Sequence, residues 1–322
     1  MALLEVNNLN VSLETSHGPA RAVRNLNFSL EKGKTLGIVG ESGCGKSMTA
    51  LALMGLLPDN GSTTGDIKLN SENLLEKSEK EMCRIRGNRL AMIFQEPMTS
   101  LNPVHTIGKQ IMEPLQLHKG LGKKEAFQEA IQLLERVGIP NPSERVKSYP
   151  HQLSGGQRQR VMIALALSCS PDILIADEPT TALDVTVQAQ IMDVLSDIRR
   201  EFGTAIILIT HDLGVVAGFC DRTLVMYGGK IMEDGPTDHV FADPSHPYTK
   251  GLLRAVPRLD RADGKLATIA GEPPDMSNLP TGCPFSPRCA QVQNTCAALP
   301  PVLEPHGTDR RRACHLPIAE VA

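Results

Sequence analysis

The sequence lacks any apolar run long enough to cross a lipid bilayer. Its longest apolar stretches, residues 161–167 and 205–209, fall far short of the ~18 residues that a membrane-spanning helix needs. The opening residues, MALLEVNN, have neither a basic segment ahead of an apolar one nor a small-residue cleavage pattern, so no secretion signal is expected. We therefore expect a chain that works in the cytoplasm and does not span a membrane by itself.

An excess of positive charge is also lacking. With 33 basic and 36 acidic residues the net charge is −3, and no basic stripe, internal repeat or low-complexity segment is visible. A nucleic-acid partner is therefore not expected. The 41% of hydrophobic residues is typical of a folded globular protein and excludes intrinsic disorder as the main state. At 322 residues the chain can form one large domain with an appendage, or two domains.

The apolar pattern predicts antiparallel strands followed by a parallel α/β sheet. Residues 3–13 and 22–30 alternate apolar and polar residues, as half-buried antiparallel strands do. Apolar strands at 173–176 and 205–210 flank a helix predicted over 185–201, and this order indicates a parallel sheet. The other predicted elements are a helix from near Lys46 to Pro58, strands with polar turns over 59–94, and a helix over 123–137.

Composition changes near residue 240. Twelve of the 23 prolines lie in residues 241–322, which predicts a loop-rich extension with little core of its own. Four of the eight cysteines lie there, spaced C-x5-C-x6-C-x17-C, unlike the paired C-x2-C of structural zinc sites. Four thiolates in such a segment suit a bound inorganic centre that organises the fold. The four are Cys283, Cys289, Cys296 and Cys314.

Residues 40–47, GESGCGKS, fit the phosphate-loop pattern G-x-x-x-x-G-K-[ST] in full. They follow a predicted buried strand and open a predicted helix, which argues against a chance glycine turn. Backbone N–H groups and the helix N-terminus would surround phosphate oxygens, Lys46 would reach the terminal phosphates, and Ser47 would ligate magnesium. The nucleotide-binding residues expected here are Gly40, Ser42, Gly43, Cys44, Gly45, Lys46, Ser47 and Met48.

An acidic element follows a second apolar strand, at ILIADE, residues 173–178. Asp177 is expected to hold magnesium through water, and Glu178 to polarise the attacking water as general base. Taken alone, such a segment would more often be a plain end of a strand. Because the same chain carries the phosphate loop, we favour the functional interpretation.

A third segment, LSGGQ at residues 153–157, stands immediately before a predicted helix. Its serine and two glycines would make a second anion-binding helix N-terminus. The alternative is that Ser154 is a simple N-cap followed by a glycine turn.

Together these motifs resemble the nucleotide-binding subunit of an ABC transporter, over roughly the whole chain. LSGGQ matches the family signature, Gln95 the Q-loop, residues 182–184 the D-loop, and His211 the switch histidine. The resemblance implies an α/β P-loop NTPase of the ABC ATPase type, with an antiparallel β subdomain and a helical signature subdomain at about 97–165. It divides the chain into an ATPase domain, 1–240, and a loop-rich, cysteine-containing C-terminal extension, 241–322.

The resemblance also implies a head-to-tail dimer with a second ABC ATPase subunit, expected to be a paralogue. Each ATP then lies between the phosphate loop of one subunit and the signature of the other. The signature residues that contact ATP are then Ser154, Gly156 and Gln157. Magnesium is then held by Ser47, Gln95 and Asp177. The residues implied in catalysis are Gln95, Glu178 and His211.

One departure from the family pattern concerns adenine. Family members usually stack the base on an aromatic residue ahead of the phosphate loop, and residues 11–19 contain none. His17 and Leu13 are the candidates for that place, so base selectivity is left open.

Residues 94–103, 149–153 and 246–253 and the cysteine-containing tail resemble the peptide-importer branch. They imply an ATPase subunit that powers uptake of di- or oligopeptides with two transmembrane permease subunits and an extracytoplasmic solute-binding protein. Its place is then the cytoplasmic face of the inner membrane. For the four cysteines the resemblance implies a 4Fe-4S cluster, with zinc or four unligated thiols as alternatives.

Two alternative functions remain at this point. The first is an importer of another small solute, such as glutathione or nickel. The second is a soluble ABC ATPase acting in translation or DNA repair. Such proteins usually carry two cassettes or a long coiled-coil insertion, and this sequence has neither.

Overall fold

The computed structural model describes residues 2–16, 18–96, 100–181, 184–256 and 268–317. The strands are β1 (Ala2–Thr15), β2 (Gly18–Glu31), β3 (Thr35–Val39), β4 (Gly61–Leu69), β5 (Glu72–Asn73), β6 (Leu90–Ile93), β7 (Ile173–Asp177), β8 (Ala205–Ile209), β9 (Arg222–Tyr227), β10 (Lys230–Pro236), β11 (Glu304–Pro305) and β12 (Arg311–Arg312). The α-helices are α1 (Lys46–Met54), α2 (Glu79–Ile85), α3 (Ile107–Lys119), α4 (Lys123–Arg136), α5 (Pro142–Arg145), α6 (Gly155–Leu167), α7 (Val185–Phe202), α8 (Leu213–Phe219), α9 (Thr237–Ala242), α10 (Pro247–Ala255) and α11 (Asn294–Ala298).

These elements form two compact units. One, here called the phosphate-loop unit, comprises residues 2–30, 35–75 and 209–322. The other, here called the signature unit, comprises residues 31–34 and 76–208. Among the residues that the structure describes, no helix combines the length and apolarity needed to cross a bilayer.

The phosphate-loop unit contains the predicted antiparallel strands. They form a four-stranded sheet in the order β2-β1-β4-β5. The alternation seen in the sequence is the cause, because Leu4 and Val6 are buried whereas Glu5 between them is exposed. Leu4 lies opposite Leu69 and Val6 opposite Ile67, so apolar residues of both strands share one face.

A second sheet of this unit positions the phosphate loop. β3 pairs in parallel with β9, and β9, β10, β12 and β11 continue the sheet in antiparallel order. All five residues of β3 are buried, which explains why this segment is a continuous apolar run. The phosphate loop therefore leaves the end of a strand that is fixed by its neighbours.

The signature unit is built around β7, which lies between β6 and β8. β6 and β7 are parallel, with Leu90 opposite Ile173 and Ile93 opposite Ala176. Helix α4 buries one stripe, in which the spacing of three and four residues is that of a helix packed on one side. Its buried residues are Ala126, Ala130, Leu133 and Leu134.

The predicted helices and parallel strands are confirmed to within a few residues at their ends, but the strand prediction over 59–94 is wrong in part. Residues 79–85 form helix α2. The Ser78 backbone N–H donates to the Glu81 carboxylate at 2.9 Å, as in a capping box. The S-x-x-E spacing was the signal for this helix, and it outweighs the short apolar segments on which the strand prediction was based.

The C-terminal extension is fastened to the phosphate-loop unit by buried ion pairs. Arg310 Nη2 donates to Glu233 at 2.9 Å, and Arg311 Nε donates to Asp234 at 2.7 Å. Both carboxylates are completely buried. Glu233 also accepts from the Ser245 backbone N–H and hydroxyl, each at 2.8 Å. Because removing one partner would leave a buried charge uncompensated, these pairs fix β12 on β10.

Candidate functional site

The phosphate loop, residues 40–47, has a conformation that requires glycine at two positions. Gly40 has φ 152° and Gly45 has φ 102°. A Cβ at Gly40 would lie 2.2 Å from the Met226 carbonyl oxygen, and one at Gly45 would lie 2.3 Å from that of Ala22. Any side chain at either position would collide with backbone, so the loop can follow this path only with glycine.

Lys46 is the first residue of α1, and its side chain is folded over the loop. Its Nζ donates to the carbonyl oxygens of Gly40 at 2.8 Å and Glu41 at 3.0 Å, and only 6% of the residue is exposed. The N-cap of α1 is Gly45, which has no side chain to cover the first N–H groups. A fixed ammonium and a helix N-terminus at the same loop suit a polyphosphate.

The other predicted residues of the loop lie around this cradle. Ser42 and Gly43 are exposed, Ser47 and Met48 are half-buried, and Cys44 is buried. Burial raises the pKa of the Cys44 thiol, so it is present as a neutral group. The hydroxyl of Ser47 is of the oxygen-donor type that Mg²⁺ prefers.

His211 lies between β8 and α8, in the same unit as the phosphate loop, and is exposed. Its neighbour Asp212 caps α8 by accepting from the N–H groups of Gly214 at 2.9 Å and Val215 at 3.2 Å. The Asp212 N–H donates to the Thr210 hydroxyl at 3.0 Å. The backbone on which His211 sits is therefore fixed on both sides.

In the signature unit the structure brings together Gln95 and Glu178. Both follow the carboxyl ends of neighbouring parallel strands, β6 and β7, where side chains meet at one sheet edge. Gln95 Nε2 donates to Glu178 Oε2 at 3.2 Å. Asp177, the last residue of β7, is 3% exposed. Sequence spacing alone could not give this contact, because the two residues are 83 positions apart.

Glu178 is held in an uncommon backbone conformation. Its φ is 48°, in the left-handed region that a non-glycine residue seldom adopts. The Thr181 hydroxyl donates to the same Glu178 oxygen at 2.7 Å. Thr181 was not predicted, since nothing in a Glu-Pro-Thr-Thr segment indicates which threonine turns back. Residues in such strained backbone conformations cluster at active sites, where the backbone sets the direction of a functional side chain.

The signature segment forms an exposed helix N-terminus. Ser154 is the N-cap of α6, and its Oγ accepts from the Gln157 N–H at 3.3 Å, while Gln157 Oε1 accepts from the Ser154 N–H at 3.1 Å. Ser154 and Gly155 are exposed, and a Cβ on Gly156 would lie 3.2 Å from Val187. Ser154 is therefore an N-cap, as the alternative interpretation predicted. This cap is compatible with anion binding at the N-terminus of α6.

Two predicted features fall partly outside the described residues. Of the D-loop, Ala182 and Leu183 lie outside them, whereas Asp184 is the N-cap of α7 and accepts from the Val187 N–H at 2.9 Å. Of the two adenine candidates, His17 lies outside and Leu13 is half-buried in β1.

The predicted metal centre at Cys283, Cys289, Cys296 and Cys314 is wrong. All four are free cysteines, and the described part of the chain contains no group of three or more His, Cys, Asp or Glu residues that could hold a metal ion. Burial raises the pKa of Cys283 to about 11 and raises the pKa of Cys289 and Cys314 above the ordinary value. Burial therefore favours the neutral thiol form of these three cysteines.

The metal centre was predicted because the extension has little core of its own, and the structure shows other contacts that organise it. Buried ion pairs to Glu233 and Asp234 fasten the extension, and the Cys283 N–H donates to the Cys296 carbonyl at 2.7 Å. Cys283 and Cys296 are buried and Cys289 and Cys314 are half-buried, as small apolar residues are. Neither the iron–sulfur cluster nor the zinc alternative is supported, and the unligated alternative fits.

Comparison with known proteins identifies the class. Residues 23–181 match the sequence model of the family described as ABC transporter, and residues 232–296 match that of the oligopeptide/dipeptide transporter C-terminal region. A dimeric ATP-binding cassette, MJ0796, solved in a post-hydrolysis state with ADP and Pi, has a TM-score of 0.66 at 27% identity, covering 73% of this chain and 98% of that one. The fold and the phosphate loop therefore define an ABC ATPase.

Relatives that match nearly the full length of the chain identify its family within this class. The oligopeptide transport ATP-binding protein OppD of Salmonella typhimurium is 56% identical over 99% of this chain and 95% of its own. The dipeptide transport ATP-binding protein DppD of Bacillus subtilis is 54% identical over 91% of this chain and 88% of its own. The chain belongs to the oligopeptide/dipeptide transport ATP-binding family of ABC transporters. The predicted family, fold class and ATPase activity are confirmed, and neither relative is named as an iron–sulfur protein.

Proposed function

We propose that this ATPase powers the uptake of di- or oligopeptides. The observation that carries the proposal is the match of residues 232–296 to the oligopeptide/dipeptide transporter C-terminal region, in addition to the ABC match. Relatives named for oligopeptide or dipeptide transport, 51–56% identical to this chain, support it.

In the proposed reaction a water oxygen attacks the γ-phosphorus of ATP while the bond to the β–γ bridging oxygen breaks. Glu178 accepts the proton of that water, and ADP and inorganic phosphate are released. Gln95 and Thr181 hold the Glu178 carboxylate by the hydrogen bonds described above, which orients the base. Lys46 would supply positive charge to the terminal phosphate, and Lys46 and His211 would both bind it by hydrogen bonds.

A bound Mg²⁺ would neutralise phosphate charge during this reaction. Three side chains are proposed to hold it, and they offer the hydroxyl, amide and carboxylate oxygens that this ion prefers. They are Ser47, Gln95 and Asp177.

Each ATP is proposed to be shared by two subunits. Ser154, Gly156 and Gln157 of one chain would contact the ATP held by the phosphate loop of a second ABC ATPase subunit, expected to be a paralogue. The exposure of Ser154 and Gly155 at the start of α6 supports this, because an anion can approach that helix end from outside. Closing of the two subunits around ATP would drive the transporter, and hydrolysis would open them.

ATPases of this family work with membrane permeases, and we propose the finer arrangement. Two permease subunits would hold the chain at the cytoplasmic face of the inner membrane, and an extracytoplasmic solute-binding protein would deliver the peptide. Residues 1–240 would form the ATPase domain, with the helical signature subdomain at about 97–165, and residues 241–322 the extension.

Reconstitution tests the substrate. The chain would be assembled in liposomes with its permeases, the second ATPase subunit and the binding protein, and ATP hydrolysis and uptake of labelled solute measured together. Di- or oligopeptides should stimulate both, whereas glutathione and Ni²⁺ should stimulate neither. Stimulation by glutathione or Ni²⁺ in place of peptides would move the chain to the alternative importer class. ATPase activity that is unchanged by the permeases and by every solute would favour a soluble ATPase.

Replacing Ser154 with arginine should separate binding from hydrolysis. The bulky side chain would cover the N-terminus of α6, so the ATP bound by the second subunit would lose its signature contacts. We expect ATP affinity of the isolated chain to change less than about twofold, and hydrolysis in the assembled complex to fall about 100-fold, in the range found for loss of one charge-stabilising group.

The matched control is Ser143→Arg, which places the same side chain on an exposed serine of the same unit. It should change neither quantity. The shared ATP site would be wrong if Ser154→Arg weakened nucleotide binding by the isolated chain as strongly as loss of Lys46 does.

A further inference from the structure

The C-terminal extension contacts the phosphate loop through the side chain of Arg288. This residue ends a short 3₁₀ turn, Ser286–Arg288. Its Nη1 and Nη2 donate to the two carboxylate oxygens of Glu41 at 2.5 and 3.0 Å. The Arg288 side chain is 5% exposed and that of Glu41 is 23% exposed. A paired contact of this kind fixes orientation as well as distance.

Every N–H group of the Arg288 guanidinium has an acceptor. Besides the two bonds to Glu41, Nε donates to the Ala270 carbonyl at 2.9 Å and Nη2 to the Ile269 carbonyl at 3.1 Å. Nη1 donates to the Tyr227 hydroxyl at 3.2 Å. All five donors are thus used, so the guanidinium has one orientation and Glu41 receives the two bonds that face the phosphate loop.

The backbone of Glu41 is held by the same extension. Its N–H donates to the Tyr248 hydroxyl at 2.9 Å. Tyr248 is completely buried, with ring centroids 4.6 Å from Tyr227 and 5.3 Å from Phe285. Both the side chain and the main chain of one phosphate-loop residue are therefore fixed by residues beyond 240.

Glu41 in turn contacts the lysine of the loop. Its carbonyl oxygen accepts from Lys46 Nζ at 3.0 Å, beside the Gly40 carbonyl at 2.8 Å. A displacement of Glu41 would therefore move one of the two groups that hold the ammonium. The Glu41 carboxylate is also a negative charge within the loop that is proposed to bind phosphates, and it would repel ATP unless a cation neutralised it.

We propose that Arg288 and Tyr248 are positioning residues for ATP binding. Both hold Glu41 in place, and Arg288 also neutralises the charge of its carboxylate at the phosphate loop. The extension would then set the affinity for nucleotide, in addition to any role in peptide transport. ATP is recognised by the chain itself, so the proposal can be tested whichever solute is transported.

The central experiment measures the Kd for ATP of the purified full-length chain, and KM and kcat in the assembled complex. Arg288→Ala should raise Kd and KM about tenfold, which corresponds to the loss of about 1.4 kcal/mol of binding free energy. At saturating ATP, kcat should stay within about twofold, since the general base is unchanged. Arg288→Lys should fall between the wild type and Arg288→Ala, because it keeps the charge and loses the fork.

The charge argument predicts a rescue. Adding Glu41→Gln to Arg288→Ala should recover at least half of the lost binding free energy, because the uncompensated carboxylate is removed. The repulsion of ATP in Arg288→Ala is attributed to the Glu41 carboxylate alone, so the double variant should bind ATP more tightly than Arg288→Ala. If the double variant binds ATP no more tightly than Arg288→Ala, or if Arg288→Ala leaves Kd and KM unchanged, the proposal is overturned.

Folding is separated from binding by two further variants. Tyr248→Phe removes only the hydroxyl that accepts from the Glu41 N–H, and should raise Kd about threefold with little change in the melting temperature. Arg254→Ala, an exposed arginine of the extension, is the matched control and should leave Kd unchanged. Should Arg288→Ala fail to fold, Arg288→Lys and Tyr248→Phe decide the matter: wild-type Kd in both contradicts the proposal.

Discussion

Replacing Glu178 with glutamine should lower kcat for ATP hydrolysis by about 10²- to 10⁴-fold, the contribution expected of a general base. Glutamine has the same shape and no proton-accepting carboxylate, so the attacking water would lose its base. ATP affinity should stay within about threefold of the wild type, because Glu178 acts on the attacking water in the proposed reaction and not on the bound nucleotide. Single-turnover hydrolysis and equilibrium ATP binding, both in the assembled complex, measure the two quantities.

The same variant should accumulate as an ATP-bound, closed pair of ATPase subunits, since hydrolysis is the step proposed to open them. Glu144→Gln, an exposed glutamate of the same unit, is the matched control and should hydrolyse ATP normally. A Glu178→Gln complex that turns over at the wild-type rate would remove Glu178 from its assigned role.

Two neighbouring side chains hold the carboxylate of Glu178, the proposed general base. Two hydrogen bonds reach the same oxygen, from Gln95 Nε2 at 3.2 Å and from the Thr181 hydroxyl at 2.7 Å. The left-handed backbone at Glu178, with φ 48°, sets the direction in which the side chain leaves β7.

Local pattern was sufficient to predict the phosphate loop and the parallel strands. A Cβ added at Gly40 or Gly45 would lie only 2.2 or 2.3 Å from neighbouring backbone atoms, so both positions require glycine. The two glycines therefore recur at a fixed spacing in the sequence motif. Buried parallel strands such as β7 and β8 leave an equally clear trace, because every residue in them is covered.

What could not be predicted depends on distant pairs. Arg288 and Glu41 are 247 positions apart, and no periodicity links a proline-rich tail to a glycine-rich loop. The error at the four cysteines has the same origin. Composition indicated that the tail lacks a core, but the buried partners Glu233 and Asp234 lie in β10, and their pairing with Arg310 and Arg311 leaves no signal in the spacing.

Replacing Lys46 with alanine should abolish ATP binding at cellular concentrations, with Kd raised at least about 100-fold. The reason is the position of the Lys46 side chain, because the residue is 6% exposed and its ammonium donates to the carbonyl oxygens of Gly40 and Glu41. Two of the three ammonium N–H groups donate to these carbonyls, which leaves the third for phosphate. One charge-assisted hydrogen bond contributes about 1.5–3 kcal/mol, and its loss accounts for a change of that size.

Titration of the full-length chain with a fluorescent ATP analogue measures the loss, and a melting curve without nucleotide shows whether the fold survives. Lys124→Ala, an exposed lysine of α4, is the matched control and should bind ATP as the wild type does. Because Lys46 is proposed to contact phosphate itself whereas Arg288 is proposed to act through Glu41, Lys46→Ala should weaken binding more than Arg288→Ala. The reverse order would mean that Lys46 does not hold the terminal phosphates, since a residue acting through the loop cannot outweigh the cation that the loop positions.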